Sequence, residues 1–291
     1  MKISTEIYSA ANHVGEEKAI ELLAKAGFDA WDFSMFNMRR FDWQSQSFFA
    51  PIPDLPLVGP DYLAFARKLK KVGEDNGIHC NQSHAPFPST CPAMLPWLKR
   101  AIECTAEAGG DICIVHPDNN KNGAQNAEMY LELLEFAKPL HVRIATENMF
   151  NWDSVKNVSA PAACSSAESF LEHFAAVNDD EHFVACLDIG HAEMRDGAGP
   201  GAELMVRALG HHLQALHIHD NDGHADNHQI PFSMGIDYAP IIKAMKDIGY
   251  AGYFTLEADC YLGKFNKDNV FEGIKDLAAS AKRLADMFEN A

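Results

Sequence analysis

Short apolar runs in this 291-residue chain repeatedly end on residues that bind metals or carry protons: Ser83-His84, His116, Glu147, Asp188, His217 with His219, and Glu257. A carboxylate or imidazole is costly to bury unless it is paired or holds a cation, so packing alone gives a strand no reason to end on one. If these ends converge, they form a mixed carboxylate–imidazole set suited to Mn²⁺, Mg²⁺, Co²⁺, Fe²⁺ or Zn²⁺. No thiolate joins the set. The seven cysteines are scattered, with no C-x-x-C pair, which argues against a structural zinc site and fits reduced thiols. Asp188 and His191 stand three apart in L-D-I-G-H, just past a run, so both can face one site as the chain turns. Of His217 and His219, only one is expected to serve as an inner-face ligand. Asp226 and His228 form a D-x-H pair further on.

These residues meet only if the runs that carry them lie side by side. Apolar runs at 2–7, 30–35, 78–83, 111–116, 141–147, 183–188, 213–219 and 252–257 read as strands. Stretches with helical periodicity follow them at 16–26, 60–76, 95–108, 127–138, 166–177, 201–209, 238–247 and 269–288. Strands that alternate with helices predict a parallel sheet with right-handed crossovers. Eight such pairs in 291 residues predict closure into a (β/α)₈ TIM barrel, an α/β fold with residues 1–291 as a single domain. The G-x-G-x-x-G turn of a dinucleotide-binding sheet is missing after the first strand. In a barrel, the loops after the strands share the C-terminal face, where sites are built. The long segments 36–59, 148–165 and 220–237 are therefore expected to wall or cover a pocket.

Charge narrows the partners. With 24 basic and 41 acidic residues the formal charge is −17, which repels phosphate backbones and anionic lipid, so no nucleic acid and no membrane partner is expected. The N-terminal run lacks a signal peptide's apolar segment, and no stretch reaches the roughly 18 apolar residues of a spanning helix. A cytoplasmic location is the expectation. A patch on the barrel helices would support a homo-oligomer.

Four segments in order, ATEN (145–148), CLDIGHAEM (186–194), ALHIHDNDGHADNH (215–228) with the following PFSMGIDY, and IKAMKDIGYAGYFTLEAD (242–259), make the chain resemble the xylose-isomerase-like barrel superfamily. That group includes sugar and sugar-phosphate isomerases, ketose 3-epimerases and, as a relative, endonuclease-four-type apurinic-site nucleases. The resemblance spans nearly the whole chain. It implies that Glu147, Asp188, His217 and Glu257 hold one divalent metal (Mn²⁺, Mg²⁺, Co²⁺ or Zn²⁺), and that Glu147 and Glu257 also carry protons. It implies that His191 bonds a substrate oxygen; His84, His116 and Trp152, read from the chain itself, are expected as further substrate contacts. The nuclease relatives use a larger set, at whose positions His84, His116, His191, Asp226 and His228 stand, and Asp226 and His228 are candidates for a second metal. The epimerases' substrate-binding arginine has no counterpart in 220–237, which contains neither Arg nor Lys.

The implied activity is a metal-dependent sugar isomerase or epimerase that works by proton transfer through an enediolate, with a small-molecule sugar as partner. Trp31, Phe33, Phe36, Phe41, Trp43 and Trp152 would supply an aromatic wall for a sugar face or an aglycone. A lyase acting on keto-sugars or glycosides would use the same first step. A phosphodiesterase on abasic DNA is the rival reading, and a barrel that has lost its chemistry is a third.

Overall fold

A computed structural model describes residues 1–291 except 43, 53 and 54. Eight strands carry the architecture: β1 (Lys2–Thr5), β2 (Ala30–Ser34), β3 (His79–His84), β4 (Ile112–Ile114), β5 (Arg143–Glu147), β6 (Phe183–Asp188), β7 (Leu213–His217) and β8 (Tyr253–Leu256). β2 to β7 form one parallel sheet in chain order. β1 pairs in parallel with β8, Ile3 opposite Phe254. Two single bridges, Glu6 to Asp32 and Ile218 to Leu256, join this pair to the two edges of the sheet and complete the expected ring. The helices cover the outside. In the last one, Val270–Asn290, buried Ile274, Leu277, Ala281, Leu284 and Phe288 recur every three to four residues and pack on β1 and β8.

Side chains on a strand alternate between two faces, and here the alternation separates core from site. Trp31, Phe33, Cys113, Ile144, Leu216 and Phe254 point outward into the large apolar cluster under the helices. The opposite faces contribute a small inner cluster of Ile112, Ile114, Ala145, Val184, Cys186 and Ala215. Beside it the barrel interior is polar, with Ser4, Asp32, Asn81, Gln82 and Thr255 all buried. They bond to one another across the strands: Ser4 to Asn81 (2.6 Å), Asn81 to Thr255 (3.1 Å) and Gln82 to Asp32 (2.8 Å). Every donor and acceptor buried there needs such a partner.

Departures from the expected elements have local causes. The helix expected at 127–138 begins at Gly123, because Asn122 and Gln125 form a reciprocal capping box. A helix at Tyr8–Val14 precedes the expected one at Glu16–Ala26. Two of the three long segments hold short hairpins, Phe41–Asp42 with Ser47–Phe48, and Phe150–Asp153 with Val158–Pro161. Among the described residues no helix is long and apolar enough to cross a membrane.

Candidate functional site

Moving two residues along each strand from the barrel interior reaches the mouth. Ile114 leads to His116, Ala145 to Glu147, Cys186 to Asp188, Ala215 to His217 and Thr255 to Glu257. One ligand atom from each of Glu147, Asp188, His217 and Glu257 lies within 4.8 Å of the others, and all four residues are buried. His217 Nδ1 is 2.9 Å from Glu147 Oε1 and 3.4 Å from Glu257 Oε2. Asp188 reaches the site while capping the short helix Ile189–Glu193, accepting from the His191 backbone N–H at 2.7 Å. That cap sets His191 one turn beyond Asp188. Asn148 locks the neighbouring strand ends: its amide bonds both the N–H and the C=O of Asp188, at 2.7 and 2.8 Å.

His84 and His116 sit on the other side of Glu147. Their Nε2 atoms are 2.9 Å apart and lie 3.6 and 3.3 Å from Glu147 Oε2. A third group collects His191, His219, Asp226 and His228. The Nε2 atoms of His191, His228 and His219 lie 3.4, 3.0 and 3.4 Å from the Asp226 carboxylate. His191 Nδ1 meets the Asn148 carbonyl at 2.8 Å and His228 Nδ1 the Glu257 carbonyl at 2.8 Å. Imidazoles anchored through one nitrogen present the other, as metal-ligating histidines do. Both His217 and His219 serve this mouth, contrary to the expectation of a single inner-face ligand. Residues two apart on a strand share a face, and His219 Nε2 lies 3.1 Å from Asp188 Oδ1.

The donor set fits a divalent ion. Glu147 Oε2, Asp188 Oδ2, His219 Nε2 and Asp226 Oδ1 are buried without a hydrogen bond, an expensive arrangement for a site that holds no cation. Burial, and after it the charge of His84, lowers His116 to about 4. The two glutamates are pushed apart. Burial raises both, yet Glu147 ends well below the usual carboxylate range through the His217 charge and the neighbouring His116, His217 and His84 imidazoles. Glu257 stays well above it, with Glu147 and Asp188 adding to its burial against His217 and His228.

The mouth opens into a cavity of about 710 Å³ that includes His84, His116, Glu147, Trp152, His191, Asp226, His228 and Glu257 among its lining. Of the aromatics expected to form its wall, Phe36 and Trp152 do so. Trp31 and Phe33 do not: they alternate with Asp32 and Ser34 and face the helices. Phe41 packs on Phe48 within its hairpin. Trp43 lies outside the described residues. Sequence reasoning missed Tyr8, Phe87, Phe150 and the paired asparagines 119 and 120 in the lining. It also missed Asp32, whose signal was available as a lone charge inside the strand A-W-D-F-S.

A family profile described as xylose isomerase-like TIM barrel matches residues 20–289. Two relatives are uncharacterized proteins. MJ1311 of Methanocaldococcus jannaschii is 27% identical over 60% of this chain and 62% of its own. The second, y4fM of Sinorhizobium fredii, is 35% identical over 69% and 60%. The chain thus spans about three fifths of the length of these relatives. Among solved structures, a D-tagatose 3-epimerase-like protein superposes with a TM-score of 0.70 at 22% identity, covering 100% of this chain and 98% of that one. An IOLI protein with a binding zinc atom gives 0.69 at 17%, covering 100% and 99%. The 3-keto-D-glucoside 4-epimerase YcjR from E. coli gives 0.68 at 13%, covering 97% and 99%. At these identities the likeness is one of fold.

Proposed function

The chain belongs to the xylose isomerase-like TIM barrel family, and from that premise we propose that it is a divalent-metal-dependent sugar isomerase or epimerase built as one barrel domain. The observation that carries the reading is the convergence of Glu147, Asp188, His217 and Glu257 within 4.8 Å, with Glu147 and Glu257 lining a large pocket. These four residues would hold the ion, and Mn²⁺, Mg²⁺, Co²⁺ and Zn²⁺ all suit such a set. Asp226 and His228, with His191 and His219, would hold a second. We read the protein as cytoplasmic, with a small-molecule sugar as its partner.

A divalent ion held by these residues would supply Lewis acidity and a positive charge beside the reacting carbonyl. The chain's own residues then move the proton. One of Glu147 and Glu257 takes it from the carbon beside the carbonyl, and the other gives one back. Return to the neighbouring carbon isomerises the sugar, and return to the opposite face of the same carbon epimerises it. Expulsion of a leaving group β to the carbonyl would make the same site a lyase. His191, His84, His116 and Trp152 would orient the sugar. The phosphodiesterase reading loses support, because no Lys or Arg stands among the described lining residues and the chain carries −17.

Deuterium exchange tests the proposal. Metal-loaded protein in D₂O, offered a panel of free ketoses and keto-glycosides, should place deuterium beside the carbonyl of a substrate. Glu147→Gln and Glu257→Gln should each slow that exchange by about 10²-fold or more. Exchange left intact in both variants would remove the glutamates from the role of proton carriers.

A further inference from the structure

The pocket has two unlike sides. The loops after β7 and β8 contribute Asp226, His228, Glu257 and Asp259. The loops after β2, β3 and β5 contribute Phe36, Phe87, Pro88, Met149, Phe150 and Trp152. These rings pack on the site's own imidazoles, with Phe36 edge-on to His84 (4.8 Å between centroids), Phe87 stacked on His116 (5.1 Å) and Phe150 edge-on to His191 (5.0 Å). The apolar wall therefore begins where the candidate ligands end. It rises to Trp152 on the hairpin Phe150–Asp153, an indole still 43% exposed.

We propose that this wall is a subsite for an aromatic aglycone, so that the substrate is an uncharged aryl keto-glycoside, its carbonyl on the sugar ring, rather than a free or phosphorylated sugar. The assignment rests on the sugar chemistry proposed above and names its substrate class. Size points the same way. A cavity of about 710 Å³ lies in the range that encloses drug-sized molecules, about 300–1,000 Å³, and leaves room beyond a single sugar ring. Charge excludes a phosphate or carboxylate at the far end, since no Lys or Arg faces the cavity among the described residues. Two of the asparagines on that side are engaged by the fold itself. Asn119 Nδ2 donates to the Phe150 carbonyl at 2.9 Å and Asn151 Nδ2 to the Pro161 carbonyl at 3.1 Å, holding the hairpin in place. Beside Ser89, Thr90 and Asn120, the surface on that side is aromatic ring, which favours stacking with another aromatic group.

Binding to Mn²⁺-loaded protein tests this, by calorimetry or equilibrium dialysis with phenyl β-D-glucoside, methyl β-D-glucoside, cellobiose, D-fructose and D-fructose 6-phosphate. The phenyl glucoside should bind about tenfold tighter than the methyl glucoside. Trp152→Ala should erase that preference and Trp152→Phe restore most of it, with the melting temperature checked for both. Equal affinity for the two glucosides, tighter binding of cellobiose, or tighter binding of the phosphate than of fructose would each overturn the assignment. If the phenyl group adds nothing while a free ketose still exchanges its proton in D₂O, the aglycone site falls and the sugar reading stands. If no ketose or keto-glycoside exchanges, the sugar reading falls and takes the aglycone site with it.

Discussion

His217 lies between two carboxylates, its Nε2 3.4 Å from Asp32 Oδ2 and its Nδ1 2.9 Å from Glu147 Oε1. Asp32 sits below the mouth on β2, fully buried, with Oδ2 also accepting from Gln82 at 2.8 Å. An imidazole that donates one N–H to a buried carboxylate has its tautomer and orientation set, which leaves the other nitrogen free to bind a metal. Asp32→Ala should therefore weaken Mn²⁺ binding by about 10- to 100-fold, measured by calorimetry. The absorption spectrum of the Co²⁺-loaded protein should shift as well. An unchanged spectrum and dissociation constant would leave Asp32 a purely structural residue.

A second prediction concerns pH. Glu6 is buried just past β1, its oxygens accepting from the Ser9 backbone N–H at 3.0 Å and from the Ser9 hydroxyl. Burial, and after it the charge of Asp259, raises its carboxyl from 4.5 to about 7. The folded state therefore prefers the proton: its contribution to stability is full below about 4.5 and is lost as pH rises through about 7. Glu6→Gln, which mimics the protonated form, should stabilise the metal-free protein at pH 8 by on the order of 2 kcal/mol and change little at pH 4.5. Parallel denaturant titrations at the two pH values decide it. A variant no more stable than the parent at pH 8 would count against a proton held on Glu6.

Gly190, in the L-D-I-G-H segment, is required by space. A Cβ there would lie 1.9 Å from Cε1 of His219, whose ring is fully buried against Asp188 and Asp226. Gly190→Ala should push that imidazole out of the cluster and destabilise the fold by about 1–3 kcal/mol, the usual range for overpacking. Metal stoichiometry should fall too if His219 helps hold a second ion. A variant with parental stability and stoichiometry would show that the ring has room to move.

The fold and the core of the site were legible in the sequence for the same reason. Interior strand positions recur every second residue, so Ala145 predicts Glu147 on the same face, as Cys186 does Asp188. Each apolar strand therefore marks its own end at the mouth. What escaped depends on partners distant in sequence. Asp32 reads as a lone charge until Gln82 and His217 are brought to it across the barrel. Phe87 lies in the loop after β3 and Phe150 opens a short hairpin beyond β5, and no periodicity specifies where either segment runs, so their place in the pocket lining could not be read from spacing. Trp31 and Phe33 were misplaced by the opposite error, in which aromatic content outweighed the alternation that turns both toward the helices.

The central claim is that Glu147, Asp188, His217 and Glu257 share one divalent ion. Its most direct test is a crystal of the full chain soaked in Mn²⁺, with anomalous difference density collected at the manganese edge. The account predicts a peak within coordination distance, about 2.0–2.3 Å, of one atom from each of the four residues. A map with no peak there, and the four side chains bridged only by water, would contradict it.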